Sequence, residues 1–164
     1  MSLSTIFIPG QTRLLQAALD GIAGLPVRGL VTTGPAIDGA RLRTLANTQT
    51  HRYLPHRTVM PASSILVGHG GHATAMLAMA HELLLVVIPA NRQLDQPTIG
   101  RVIEDAGAGI LLPASASPEK IRGAIEKVLA DDRYRVEAVR LGAAIRASNG
   151  TVVAADRIRS LVSR

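Results

Sequence analysis

Val67–Pro89, VGHGGHATAMLAMAHELLLVVIP, is the stretch that decides the fold. It drives a short aliphatic run into two glycines, starts a helical run at once, and returns as a second aliphatic run, LLLVVIP. Strands that are apolar throughout belong to a parallel sheet buried on both faces, because a sheet with one wet face alternates polar and apolar residues. The rest of the chain repeats the pattern. TIFIP (Thr5–Pro9), RGLVTTGP (Arg28–Pro35), HRYLP (His51–Pro55), SILVG (Ser64–Gly68) and GILLP (Gly109–Pro113) read as further strands, making about six in all.

Helical periodicity fills the gaps. Helices are expected over Thr12–Leu25, from Thr74 to His81, from Gln96 to Ala106, and over Ser117–Asp131, where Ser117 is placed as N-cap and Pro118 as the first helical residue. In that helix Ile121, Ile125 and Leu129 form the expected inner face. Two more helices, about Arg133–Ala147 and Val152–Val162, are separated by the stop signal Asn149-Gly150. Strands alternating with helices, joined by right-handed crossovers, give a single doubly wound, Rossmann-like α/β domain over residues 1–164 with helices on both faces. In such a sheet, ligands sit beyond the carboxyl ends of the strands.

Composition narrows the classes. Hydrophobic residues make up 47% of 164, enough for a sizeable core. The three aromatics, Phe7, Tyr53 and Tyr134, are too few for a base-stacking platform on single-stranded nucleic acid. The net charge is +6, carried by arginines scattered without a dense basic block. That argues for attraction of a small anion rather than a polyanion, so no nucleic-acid partner is expected. There is no cysteine, which excludes disulfide scaffolds, thiolate metal sites and cysteine nucleophiles. The opening MSLSTIFIPG lacks a basic signal-peptide start and no run reaches membrane-spanning length, so a cytoplasmic location without a membrane span is expected.

Three loops follow strands and face one end of the sheet: PGQT at Pro9–Thr12, GHGGHAT at Gly68–Thr74 and PANRQLDQ at Pro89–Gln96. The middle one has the ingredients of an anion cradle. Gly70 and Gly71 let the backbone approach a ligand, and the helix behind them supplies free N–H groups and a positive dipole end. Thr74 adds a hydroxyl, while His69 and His72 can donate to the same oxygens. A zinc site from His69, His72 and His81 is disfavoured, since no carboxylate or cysteine stands at a suitable spacing. The loop has neither the dinucleotide-binding glycine pattern nor the P-loop lysine.

HGGHAT at His69–Thr74, the strand ending at Pro89 and DQP at Asp95–Pro97 resemble the donor-binding, C-terminal half of GT-B glycosyltransferases, in the group of antibiotic and macrolide glycosyltransferases and UDP-glucuronosyltransferases. YLPHRTVMPASSILVGHGG, VIEDAGAGILLP and IRGAIEKVLADDRYRVEAVRL extend the resemblance from about Thr5 to Val162. It implies that His69, Gly70, Gly71, Ala73 and Thr74 bind the diphosphate of a nucleotide-sugar, with Gly10 and Thr12 lining it from the first loop. It also implies Tyr53 stacked on the base, Leu54 reading the base edge, His56 near the ribose, and Asp95 and Gln96 on sugar hydroxyls. On its own, Asp95 is equally a helix N-cap. The implied substrate is a UDP- or dTDP-sugar, with no tightly bound cofactor and no metal. The implied activity is inverting transfer to a small-molecule acceptor, in natural-product glycosylation.

Some positions depart from the family pattern. Leu77 stands where a ribose-holding glutamate is usual, Ala73 replaces a glycine, and ELL at Glu82–Leu84 replaces Gly-Val-Pro. No catalytic base is assignable. The family keeps its base on an N-terminal acceptor domain, so this domain alone is expected to be inactive. The alternatives are a stand-alone donor-binding subunit that works with an acceptor-domain partner chain, a degenerate binding or assembly module, and an epimerase-like relative. A homodimer is left open.

Overall fold

The computed structural model describes residues 1–162. Among these residues five parallel strands form the sheet: β1 (Gly29–Thr32), β2 (Thr48–His51), β3 (Ile65–Gly68), β4 (Leu84–Val87) and β5 (Gly109–Leu111). β2 pairs with β1, and β3 with β4 and β5. Between the two groups runs the first stretch of chain, where Ser2 bridges both Thr32 of β1 and Gly68 of β3. The Ser2 amide donates to Val67 at 3.1 Å and the Thr32 amide donates to Met1 at 3.0 Å. The sheet order is therefore β2, β1, Ser2, β3, β4, β5.

That centre corrects the expected first strand. Thr5–Pro9 is a loop whose Ile6 and Phe7 are exposed. Its apolar content resembles a strand, but the place in the sheet belongs to Ser2. The third strand also lies upstream of expectation, at Thr48–His51, leaving Tyr53 and Leu54 in the loop after it. Polar TQTH forms this edge strand because one row of its backbone pairs with β1, whatever the side chains.

Among the described residues seven α-helices accompany the sheet: α1 (Gln11–Ile22), the single turn α2 (His56–Val59), α3 (His72–Ala80), α4 (Gln96–Asp105), α5 (Pro118–Ala130), α6 (Asp132–Ala147) and α7 (Gly150–Val162). The centre of β4 shows how the layers are divided. Leu84 and Val86, with Ile88 just beyond, join α1 and α5 through Leu15, Leu19, Ile121 and Ile125. Leu85 and Val87 join α3 and α4 through Ala78, Met79 and Ile103. Successive strand residues point to opposite faces, so a strand covered on both faces must be apolar at every position. LLLVVIP meets that requirement.

Ser117 caps α5, its hydroxyl accepting from Lys120 N, and Pro118 opens the helix. The buried face is Ile121, Ala124, Ile125 and Val128, whereas Leu129 is 40% exposed, a one-residue rotation from the expected stripe. Asn149 ends α6 in the left-handed region (φ 41°), as the Asn-Gly signal predicted, and α7 begins directly at Gly150. No helix among the described residues is long and apolar enough to cross a membrane.

Candidate functional site

The loops after Ser2, β3 and β4 leave neighbouring positions in the sheet and converge at its carboxyl end. α3 starts at His72, two residues earlier than the periodicity predicted, so His72, Ala73 and Thr74 make up its first turn. Its N-cap, Gly71, has no side chain to satisfy the turn, and the turn contains no acid. The first intrahelical bond runs from Ala75 N to Gly71 O at 3.0 Å. The amides of His72, Ala73 and Thr74 precede it and point out of the helix end. His72 and Ala73 are exposed and Thr74 is half-buried, so this end is open.

The two glycines do different jobs. Gly70 sits at φ +81°, where L side chains are strained, and a Cβ there would lie 2.7 Å from Val87 Cγ1 and 2.9 Å from Gln96 O. It is the contact that lets the loop close against the start of α4. Gly71 has an ordinary extended backbone (φ −63°, ψ 130°), but a Cβ there would lie 2.5 Å from His69 Nε2. Gly71 makes room for the imidazole. Beneath the loop only about 10 Å³ is open, room for one water at most, so an anion would rest on the outer face of the cradle.

His69 is half-buried, and burial pushes its imidazole below the ordinary histidine range. The Ser2 carbonyl and Asp95 carboxylate beside it pull the other way, and His56 adds to the lowering. Its Nδ1 is buried without a partner. His56, expected near the ribose, turns its Nε2 to Ser2 Oγ at 3.2 Å. Burial, then the N-terminal ammonium, lower its pKa. Ser2 was missed as a site residue, because two positions at a chain start carry no periodicity to read.

Asp95 holds the N-cap position of α4, but its side chain makes no capping bond and is exposed toward the crevice. Gln96, expected on sugar hydroxyls, also has a structural task. It is 3% exposed, and its Oε1 accepts from Ala90 N at 2.8 Å and Asn91 N at 3.0 Å. This amide shapes the loop that carries Asp95. Gly10 caps α1 with φ +83° and is exposed, and Thr12 lies half-buried in the first turn, so α1 offers a second open helix end after Ser2. Tyr53 is 72% exposed. Arg52 on the loop after β2, Arg57 in α2 and Arg92 on the loop after β4 stand exposed, giving the rim a positive field for an anion. Leu77 packs half-buried against the α3–α4 core layer. Among the described residues no group of three or more acidic or histidine side chains gathers to hold a metal. A separate concavity of about 450 Å³ lies between the start of β5 and the α5–α6 turn, lined by Lys127 and Tyr134 among others, at the opposite end of the sheet from the cradle.

The comparisons bear on this arrangement. Demethyllactenocin mycarosyltransferase of Streptomyces fradiae is 33% identical over 99% of this chain and 35% of its own length. 4'-Demethylrebeccamycin synthase of Lentzea aerocolonigenes is 32% identical over 92% of this chain and 35% of its own. The chain thus spans about a third of the length of these curated relatives. Among solved structures, the calicheamicin glycosyltransferase CalG4 superposes with a TM-score of 0.85 at 25% identity, over 99% of this chain and 41% of that one. The spinosyn rhamnosyltransferase SpnG complexed with thymidine diphosphate gives 0.76 at 25% identity, over 89% and 41%. Residues 28–158 match the model of one family, and the chain belongs to it: erythromycin biosynthesis protein CIII-like, C-terminal domain.

Proposed function

We propose that the chain is the nucleotide-sugar-binding half of an inverting, metal-independent glycosyltransferase for a small-molecule acceptor. The observation that carries this reading is the uncapped, acid-free, open start of α3 behind Gly70 and Gly71. A dianionic diphosphate satisfies those amides and the helix dipole together. His69 and Thr74 add donors, Gly10 and Thr12 line the second helix end, and Tyr53 offers an exposed ring to the base. Asp95 is placed for sugar hydroxyls, on a loop that Gln96 holds.

In the reaction, a base deprotonates an acceptor hydroxyl, the oxygen attacks the anomeric carbon, and the diphosphate departs with the bonding electron pair. Charge grows on the leaving oxygens. Donors fixed before the reaction stabilise that charge without reorganising, which is the contribution of His69, Thr74 and the α3 amides. The base belongs to an acceptor domain, in the same chain or a partner. The thymidine diphosphate complex of SpnG favours dTDP over UDP as the donor nucleotide here.

Calorimetric titration of the chain with dTDP and UDP tests the reading. Weak binding is expected, lowered further by T74A and H69A, with no sugar transfer by the chain alone. Absence of heat at millimolar ligand refutes it. Leu77 favours one second reading, a module that has lost its ligand. An apolar side chain packed into the core layer offers nothing to a ribose, and silence toward every nucleotide in the same titration would select it.

A further inference from the structure

Three residues from separate parts of the fold meet at the foot of the cradle: Ser2 in the centre of the sheet, His56 at the start of α2, and His69 after β3. Ser2 is held by main-chain pairing on both sides. His56 Nε2 lies 3.2 Å from its hydroxyl, and its carbonyl faces the His69 ring. His69 is wedged over Gly71, with Nδ1 buried and unpartnered. A neutral ring protonated on Nε2 leaves that nitrogen as an unpaired acceptor. A cationic ring makes it a donor and requires an acceptor.

We propose that His56 is a positioning residue that sets the charge on His69: the two imidazoles lean on the same serine, protonation of one opposes protonation of the other, and an arriving diphosphate moves the preference to His69. This rests on the diphosphate reading of the cradle. The other groups facing the pair are few. The Asp95 carboxylate and the Ser2 carbonyl favour a cationic His69, while the α3 dipole opposes it. The N-terminal amino group also faces His56; burial lowers the amine's pKa to about 6, so it is largely neutral at neutral pH and opposes a cation on His56 only as it charges in the same acidic range. Burial disfavours both cations and comes first among the causes for each ring. In the free protein His69 is neutral at neutral pH. With a diphosphate in place its ring takes a proton from solvent, and an N⁺–H donor replaces a neutral one. Affinity therefore rises as pH falls through the interval between the free and bound midpoints.

The test is proton NMR titration of the imidazoles, which only five histidines share, on the wild-type, H56Q, H56K and H81Q chains, with dTDP-glucose as ligand. Its phosphates carry no titrating proton between about pH 5 and 8, so proton uptake belongs to the protein. H56Q is expected to raise the free His69 midpoint by about half a unit, and to move the pH at which affinity falls upward by a similar amount. H56K keeps a charge beside Ser2 and holds the midpoint at or below wild type, and H81Q leaves it unmoved. A His69 midpoint unchanged in H56Q, or raised equally by H56K, overturns the proposal. If H56Q gives an undispersed spectrum, the wild-type curves decide: mutually broadened titrations of the two rings support coupling, and two independent single curves overturn it. Failure of every chain to bind dTDP-glucose would defeat the diphosphate reading while leaving the ligand-free coupling measurable.

Discussion

Gly71→Ala separates what the cradle does from what holds it together. The backbone there lies at φ −63° and ψ 130°, a region open to every L-residue, so alanine adds no torsional strain. The new methyl collides with one thing, the far edge of His69, at 2.5 Å from Nε2, 3.1 Å from Cε1 and 3.4 Å from Cδ2. The half-buried ring can swing away, and the expected change in unfolding free energy is under about 1 kcal/mol. Once displaced, it no longer presents its donor to the anion. A hydrogen bond to a charged group is worth about 1.5–3 kcal/mol, or about 10- to 150-fold in affinity.

Two measurements on G71A, H69A and the double variant check this: urea unfolding for stability, and dTDP calorimetry for binding. Each single variant should lose a similar factor. In the H69A background, G71A should add almost nothing, because the group it displaces is already gone. Additive losses would mean that Gly71 serves the ligand through its own backbone and that His69 is a bystander. Wild-type affinity in G71A would refute the placement of His69 altogether.

Gly70→Ala should behave in the opposite way. The left-handed backbone costs about 1–2 kcal/mol and contacts at 2.7 Å with Val87 and 2.9 Å with Gln96 O add about 1–3 kcal/mol. A clear fall in urea midpoint is expected, and a change below about 0.5 kcal/mol would place the loop elsewhere. Glu82 takes φ 61° and its Oε1 accepts from Arg146 at 2.6 Å. E82G relieves strain of about 1 kcal/mol and forfeits a partly exposed ion pair worth about 0.2–1 kcal/mol, so the melting temperature should hold or rise, and a marked drop would show that the Arg146 clamp dominates. Acidification should destabilise the fold. His56 and His69 titrate below the ordinary value of 6.5 when folded, so just below 6.5 the unfolded chain binds more protons. Stability is lost as pH falls from there toward the folded midpoints and then levels off. The buried N-terminal amine, lowered from 8.0 to about 6, adds a loss that starts nearer pH 8 and persists in an H56Q/H69Q chain. A wild-type urea midpoint flat below about pH 6, or a decline there equally steep in that double variant, would contradict the histidine contribution.

Much of the fold was legible because β4 and its neighbours are buried on both faces, which forces unbroken aliphatic runs. The edge strand Thr48–His51 and the Ser2 bridge escaped reading for the complementary reason. Their places depend on main-chain pairing across distant parts of the chain, and neither TQTH nor MSL carries an apolar signature. TIFIP misled because its Ile6 and Phe7 are exposed rather than buried. The cradle was legible as a local motif, strand, glycines and helix in order. What each residue does within it was not, since the orientation of His56 depends on Ser2, 54 positions away, and that of Gln96 on the two amides of the loop before it.

An open cradle also bears on how strongly this domain can act by itself. His72 and Ala73 face solvent, and the loop encloses almost no volume, so donors to an anion compete with water at high local dielectric. The same charge pair that is worth about 1 kcal/mol in bulk water is worth about 4 near a partly shielded surface. A second wall that expels water would strengthen every donor in the cradle without moving any of them. Relatives nearly three times as long contain the chain for such a wall. On the proposed reading, weak nucleotide binding by this domain and efficient transfer by a two-walled enzyme would both follow from one geometry: the strength of donors at the open helix end depends on how dry the site becomes.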